Sequence, residues 1–149
     1  MTKTYVIDTN VLIQAPYALE CFEDNNLILP LVVLEELDGL KKSEGEKGVN
    51  ARAAVRKLEL YRQRGDLLEG VKLPGGGILK IEKNFVQVEL PPDLPDDKSD
   101  NRILKVCKGL NELYEESQVI LFTKDIGMRL KAQILGIRAE DVEREQSSA

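Results

Sequence analysis

The sequence predicts an α/β protein with a mostly parallel central sheet and helices on both faces. Two short apolar runs, Tyr5–Ile7 and Val119–Phe122, are typical of strands buried in the middle of such a sheet. Segments with helical spacing lie between the apolar runs, as parallel strands require. An aspartate follows each run, Asp8 after the first and Asp125 shortly after the second. We therefore expect a functional site at the carboxyl edge of the sheet.

Proline, glycine and apolar spacing mark the elements of the first half of the chain. Proline is tolerated in a first helical turn, which favours helices near Pro16 and from Pro30. Two glycines in a polar stretch indicate a mobile loop, and Gly65 follows a run of helical spacing as a terminator. In chain order we predict a short helix within residues 11–22, a strand at 27–29, a helix from Pro30 to about Leu40, a loop over 41–48 and a helix over 50–64.

A glycine triplet and alternating residues mark the second half. Gly75, Gly76 and Gly77 lie between two short β-rich runs, which predicts a β-hairpin insertion over residues 67–90. Ser99 is placed to cap a helix. After the hairpin we predict a strand at 85–90, a stiff proline-containing connection, a helix from Ser99 to about Tyr114, the strand at 119–122, a helix from Asp125 to Leu135 ended by Gly136, a short edge strand near Ile137 to Val142, and a disordered tail over 143–149.

The amino-acid composition limits the classes of protein and of catalytic site to which the chain can belong. The chain has 149 residues, enough for one domain, which we place at residues 1–142. It contains no histidine, which excludes serine–histidine triads and imidazole-based zinc sites. No apolar run reaches the roughly 20 residues of a membrane span, and no signal peptide is visible. Cys21 and Cys107 lie in apolar sequence, so we expect reduced core thiols in a cytoplasmic protein with no membrane partner.

Helical spacing selects two further acids as candidates beside Asp8 and Asp125. Glu36 follows Val33 by three residues and precedes Leu40 by four, so it flanks the buried face of its helix, whereas Glu35 points away. Asp100 lies three residues before Ile103 in the first turn of its helix, on the inward side. Asp97 is a further candidate for an outer position.

Each acid also has an ordinary structural explanation. Asp8 suits an Asx turn, Asp100 suits a helix dipole, Asp125 suits an N-cap and Glu36 suits a soluble helix surface. Four converging carboxylates are harder to explain, because each pair at about 4 Å repels by about 4 kcal/mol at an effective dielectric near 20. Oxygen donors select Mg²⁺ or Mn²⁺, and short polar neighbours support the carboxylates. These supporting candidates are Thr9, Asn10, Asn101 and Thr123.

A basic stretch accompanies this acidic set. The net charge is −5, but residues 41–64 carry an excess of lysine and arginine. A basic flank beside an acidic pocket is compatible with a phosphate-bearing ligand, and a solvated helix surface is the alternative.

At this point the chain resembles the PIN domain, the nuclease fold related to flap endonucleases. The matching segments run through nearly the whole chain: residues 6–10, 30–38, 100–104 and 123–125, with Arg129 and Gly136 following. Gly48–Arg52 and Leu135–Asp141 are most similar to the PIN domain that precedes a PhoH-like ATPase in fusion proteins. The sequence contains no GxxxxGK[ST] loop, so we expect either the amino-terminal domain of such a fusion, with the tail beginning a linker to the ATPase domain, or a PIN-like chain that stands alone.

The resemblance implies a three-layer PIN-like fold and a Mg²⁺- or Mn²⁺-dependent endoribonuclease that cleaves single-stranded RNA with a metal-activated water. It assigns catalysis and metal binding to Asp8, Glu36, Asp100 and Asp125. RNA contacts are expected from the basic residues Lys41, Lys42, Arg52, Arg56 and Arg129.

Three alternatives stay open: phosphoryl transfer through an aspartyl-phosphate at Asp8, a non-catalytic module that binds RNA or a partner, and a toxin-type ribonuclease. Pairing between copies of the chain also stays open.

Overall fold

The computed structural model describes residues 2–83, 85–113 and 118–140. Six strands form one sheet: β1 (Lys3–Ile7), β2 (Asn26–Pro30), β3 (Val71–Lys72), β4 (Ile78–Glu82), β5 (Gln118–Phe122) and β6 (Arg138–Glu140). The helices are α1 (Thr9–Gln14), a 3₁₀ helix (Pro16–Glu20), α2 (Leu31–Leu40), α3 (Gly45–Arg64), α4 (Ser99–Leu113) and α5 (Ile126–Ile134).

The strand order is β3-β4-β2-β1-β5-β6, and every neighbouring pair is parallel except β3 with β4. The predicted α/β class with a mostly parallel sheet flanked by helices is confirmed. After β1 the chain builds outward through β2 to one edge, and β5 then returns to the other side of β1. The carboxyl ends of β1 and β5 therefore meet at a topological switch point, where open α/β sheets place their sites.

The central strands are buried because helices cover them. Ile7, Leu27, Leu29, Ile120 and Leu121 are completely buried. α1 and α2 pack against α3, α2 also packs against α4, and α4 and α5 contact β5 and β6 respectively. The apolar runs in the sequence thus became the inner strands of the sheet, as their composition indicates.

The predicted hairpin exists and forms one end of the main sheet. Val71 and Lys72 pair antiparallel with β4, and β4 itself pairs parallel with β2. The glycine triplet connects the two strands and packs closely on the turn before β2. A Cβ on Gly77 would lie 1.9 Å from the Asn25 carbonyl oxygen, and one on Gly75 would lie 2.3 Å from that of Glu23.

The predicted strand at 85–90 is wrong. Residues 86–87 form a turn, in which the Val88 amide donates to the Phe85 carbonyl at 3.0 Å. The Phe85 ring packs on Gly109 of α4, where an added Cβ would lie 2.2 Å from the ring, and Lys108 donates to the Glu89 carbonyl. The segment therefore crosses a helix instead of pairing at a sheet edge, although its residues alternate like a strand.

Three smaller expectations also need correction. The predicted loop over 41–48 is shorter, because α3 already begins at Gly45. The predicted short helix is divided at Ala15 into α1 and the 3₁₀ helix. Cys21 is exposed, whereas Cys107 is buried and its burial raises the pKa of the thiol. The predicted tail and Val142 lie outside the described residues.

None of the described helices is both long and apolar enough to pass through a lipid bilayer.

Candidate functional site

Asp8 lies at the carboxyl end of β1 and is 5% exposed. Its backbone continues the ladder, since its amide donates to the Phe122 carbonyl at 3.2 Å. The side chain makes no capping hydrogen bond to α1. Instead it accepts a hydrogen bond from the Thr123 hydroxyl at 2.7 Å, which joins the ends of β1 and β5. The strongest side-chain contact of Asp8 is therefore with the end of β5 and not with the turns of α1.

Burial raises the pKa of the Asp8 carboxyl above its usual value, and the nearby charges of Glu36 and Asp125 add to the rise. The hydrogen bonds from Thr123 and from the Thr9 backbone act in the opposite direction. The folded protein thus holds a carboxylate whose charge is poorly solvated and faces other negative groups. A cation in the adjoining cavity would offset both effects.

Glu36 connects three helices. Its carboxylate accepts from the Thr9 hydroxyl of α1 at 2.6 Å and from the Ser99 hydroxyl of α4 at 3.0 Å. Glu36 is half-buried and Glu35 is exposed, as the helix-face argument predicted. We predicted that Ser99 caps α4. In the structure Ser99 is the first residue of α4, and its hydroxyl donates to Glu36.

Asp100 forms an ion pair with a residue that the sequence analysis did not select. Lys131 of α5 donates to Asp100 at 3.0 Å and to the side-chain oxygen of Asn101 at 3.1 Å. Asn101 is 1% exposed and is anchored by its own donation to the Pro95 carbonyl at 2.7 Å. The second oxygen of Asp100 accepts from the Asn101 amide at 3.0 Å. Both oxygens of this carboxylate therefore have partners.

Asp125 is the N-cap of α5, and its carboxylate accepts from the Gly127 amide at 2.8 Å. Its own amide donates to the hydroxyl of Thr123, which is completely buried. The Thr123 hydroxyl therefore contacts both aspartates at the sheet edge: it donates to the Asp8 carboxylate and accepts from the Asp125 backbone amide. The predicted capping role of Asp125 is present, and the residue also borders the cavity described next.

One cavity of about 210 Å³ is lined by all four predicted acids. Thr9 and Asn10 also line it, as does Lys47 from the first turn of α3. The complete lining consists of Asp8, Thr9, Asn10, Ile13, Glu36, Leu40, Lys47, Ser99, Asp100, Ile103, Asp125 and Met128. The four acids predicted from the sequence therefore line one cavity, although they come from separate elements of the fold. Asp97 is exposed and does not line this cavity.

The donor set fits a hard divalent cation, because it consists of carboxylate and hydroxyl oxygens. The arrangement is nevertheless not closed around a cation: among the described residues, no three acids or cysteines lie close enough together to hold one. Hydroxyl, amide and ammonium donors within the protein take up carboxylate oxygens instead. Binding a cation would require some of these internal bonds to be exchanged for ligand bonds.

The predicted RNA-contacting residues differ in their surroundings, since Lys41 and Arg52 contact other groups on or near the α2–α3 connection. Lys42 and Arg56 are exposed on the α2–α3 side of the molecule, and Arg129 is half-buried on α5. Lys41 pairs with Asp38 at 2.6 Å, and Arg52 donates to the Lys41 carbonyl at 2.6 Å. Arg52 therefore fixes the connection between α2 and α3, a role that a count of positive charges could not reveal.

Lys131, Lys47 and Ser99 are the site residues that our sequence analysis missed or assigned differently. A helix-face argument could have placed Lys131 beside the buried face of α5, since it lies three residues after the buried Met128, although it could not have identified Asp100 as its partner. Lys47 fell within the predicted loop, which gave its side chain no direction.

Comparison with known proteins agrees with this architecture. A family model for the PIN domain matches residues 5–143. The chain is 44% identical to the protein PhoH2 of Bacillus subtilis (strain 168) over 147 residues, which are 95% of this chain and 33% of that protein. It is 32% identical to the human transcriptional protein SWT1 over 145 residues, covering 90% of this chain and 15% of SWT1. The chain thus spans about a third of the length of the PhoH2 relative.

Solved structures share the fold. A domain of a functionally unknown protein from Methanocaldococcus jannaschii DSM 2661 has a TM-score of 0.58 at 23% identity, covering 95% of this chain and 91% of that one. The PIN domain of human SMG5 has a TM-score of 0.53 at 17% identity, covering 98% and 99%. The family match over nearly the whole chain and the shared fold give one conclusion: this chain belongs to the PIN domain family, whose members are generally nucleases that use divalent metal ions.

Proposed function

We propose that the chain is a Mg²⁺- or Mn²⁺-dependent endoribonuclease that hydrolyses phosphodiester bonds of single-stranded RNA. The observation that carries the proposal is the single cavity lined by Asp8, Glu36, Asp100 and Asp125 at the carboxyl edge of the sheet. Membership of a family of nucleases supports the reaction class. The buried, negatively charged environment of Asp8 supports the need for a cation.

The roles proposed for the chain follow from its geometry. A bound divalent ion supplies Lewis acidity and a more acidic water for attack on phosphorus. Asp8 is the most buried of the four acids, and the Thr123 hydroxyl fixes its orientation. Glu36 is oriented by the Thr9 and Ser99 hydroxyls, while Lys47 places a positive charge at the cavity where a phosphate would enter.

The basic surface formed by Lys42 and Arg56 would supply RNA affinity. Lys42 and Arg56 are exposed and therefore available to phosphates, whereas Arg52 already binds backbone carbonyls. Replacing Arg56 and Lys42 with alanine should reduce the slope of log affinity against log salt by about 1.4, since each phosphate contact to a single strand contributes about 0.7. Arg62→Ala is the matched control, because that arginine pairs with Glu59 at the far end of α3. An unchanged slope would leave this face as solvated helix surface.

The cation can be tested without RNA. Mn²⁺ at a hundred times its dissociation constant stabilises the folded state by about 2.7 kcal/mol, which raises the Tm by about 5–10 °C for a chain of this size. Glu36→Gln and Asp8→Asn should remove most of that rise. Glu35→Gln is the matched control, since Glu35 is the exposed neighbour on the same helix. Equal rises in the Glu36 and Glu35 variants would argue against the assigned site.

RNA cleavage tests the reaction itself. Unstructured RNA should be cut in Mg²⁺ or Mn²⁺, remain intact in EDTA, and remain intact with Asp100→Asn. Activity that persists with both EDTA and the substitution would come from different chemistry or from another protein.

A non-catalytic RNA- or partner-binding module is the second candidate. It is favoured by the internal hydrogen bonds that now take up the carboxylates and by the open spacing of the acids. The two candidates separate in one measurement: RNA that binds with strong salt dependence but is never cut in Mn²⁺ supports the module.

The chain matches the N-terminal third of its PhoH2 relatives, so a PhoH-like ATPase domain is a natural neighbour for it. We include that partner in the proposal, together with single-stranded RNA.

A further inference from the structure

The ion pair between Lys131 and Asp100 crosses from α5 to α4 at the edge of the cavity. Its geometry is specific, because the same ammonium group donates to two acceptors, Asp100 at 3.0 Å and Asn101 at 3.1 Å. Asn101 cannot easily turn away, since it is buried and also holds the Pro95 carbonyl. Asn101 thus fixes Lys131, and Lys131 fixes Asp100.

Lys131, the partner of Asp100, is charged, whereas the hydroxyl partners of Asp8 and Glu36 are neutral. Asp8 and Glu36 accept from neutral hydroxyl groups, which a cation can displace or share at small electrostatic cost. Asp100 faces a full positive charge on a side chain that is 27% exposed. A divalent ion that uses Asp100 must either displace that ammonium group or remain close to it, and both reduce its affinity.

We infer that Lys131 is a built-in counter-ion that competes with the divalent cation for Asp100, so that the protein binds the metal more weakly than its four carboxylates alone would allow. The inference rests on the proposed metal-dependent function.

The direct test is Mn²⁺ affinity at pH 7, measured from the free-ion signal in electron paramagnetic resonance. Lys131→Met keeps most of the side-chain volume and removes the charge. We expect about tenfold tighter Mn²⁺ binding, less than the full Coulomb interaction because water screens a partly exposed pair. Lys131→Arg retains the charge and should bind Mn²⁺ within about threefold of the wild type.

Two controls separate this contact from general charge effects. Lys124→Met removes a charge at the same edge of the sheet, from a side chain that donates to Gln14, and should leave the affinity within about twofold. In an Asp100→Asn background, Lys131→Met should no longer tighten Mn²⁺ binding, because the carboxylate for which lysine and metal compete has been removed. Circular dichroism reports whether each variant folds, and Lys131→Gln replaces the methionine variant if that one does not.

The outcomes distinguish this inference from the proposed function. Wild-type binding that Lys131→Met leaves unchanged or weakens overturns the inference alone, as does equal tightening by Lys124→Met. Absence of Mn²⁺ binding in the wild type and in every Lys131 variant overturns both. Mn²⁺ binding that appears only in Lys131→Met supports the inference. RNA that stays intact in Mn²⁺ removes the ribonuclease proposal and leaves the lysine result standing.

Discussion

Substitution of Thr123 tests how hydrogen bonding at the edge of the sheet stabilises the buried carboxyl group of Asp8. This completely buried residue donates to Asp8 at 2.7 Å and accepts from the Asp125 amide at 3.1 Å. Thr123→Val has nearly the same shape and removes both hydrogen bonds. A hydrogen bond to a charged group contributes about 1.5–3 kcal/mol, so we expect a loss of about 2–3 kcal/mol in the free energy of unfolding where Asp8 is charged.

The effect should depend on pH in a definite direction. Burial raises the pKa of Asp8 in the folded state above its unfolded value near 3.8. The folded state then holds this proton more tightly, so stability is highest with Asp8 protonated and is lost as pH rises through the folded pKa. The hydrogen bond from the Thr123 hydroxyl lowers the pKa of Asp8. Removing that hydroxyl therefore raises the pKa further, and the protein loses more stability as pH rises. The cost of Thr123→Val should therefore be about 1 kcal/mol when Asp8 is neutral and larger when it is charged.

Urea unfolding followed by circular dichroism between pH 4 and pH 8 measures this cost in metal-free buffer. Thr123→Ser is the matched control, since it keeps the hydroxyl and loses one methyl group. Its cost should be about 1 kcal/mol and constant across the pH range. A Thr123→Val cost that does not change with pH, or that equals the serine cost throughout, would refute the reasoning.

Three further predictions concern packing and charge. Gly109→Ala should destabilise the fold by about 1–3 kcal/mol, since its Cβ would displace the Phe85 ring, and Phe85→Leu should absorb part of that cost in a double-mutant cycle. Gly77→Ala should cost at least as much, about 3 kcal/mol, because it meets the Asn25 carbonyl of the backbone; thermal unfolding ranks the two. The hydrogen bond from Lys57 lowers the pKa of Glu20, so its contribution is present above about pH 4.5 and is lost as pH falls through the folded pKa; Glu20→Gln should cost under about 1 kcal/mol at pH 7 and progressively less in more acidic buffer.

Local sequence patterns predicted the inner strands and the inward orientation of Glu36. The apolar runs of β1 and β5 have few stable alternatives to a doubly covered sheet, and helical spacing orients Glu36 without knowledge of the rest of the fold. The alternation at residues 85–90 misled because strand pairing needs a partner strand, and Gly109 instead offers Phe85 a place on α4.

The partners within the site were less accessible to sequence reasoning. Lys131 meets Asp100 across 31 positions, and Arg52 meets the Lys41 carbonyl through the close approach of α3 to the loop before it. Such contacts depend on how helices cross, which residue spacing within one helix does not encode. Asp97 shows the converse: an acid close in sequence to the site is exposed and outside the cavity.

Within the described residues, which end at Glu140, the outer strands of the sheet are short, with two residues in β3 and three in β6. Short outer strands offer few unpaired amides and carbonyls to another chain, which protects against sheet-to-sheet aggregation. The side of α5 bearing Ile126, Leu130 and Ile134 is different, because these three side chains are 55–71% exposed and recur every four residues. Association between copies would thus bury more apolar area through helix packing than through strand addition.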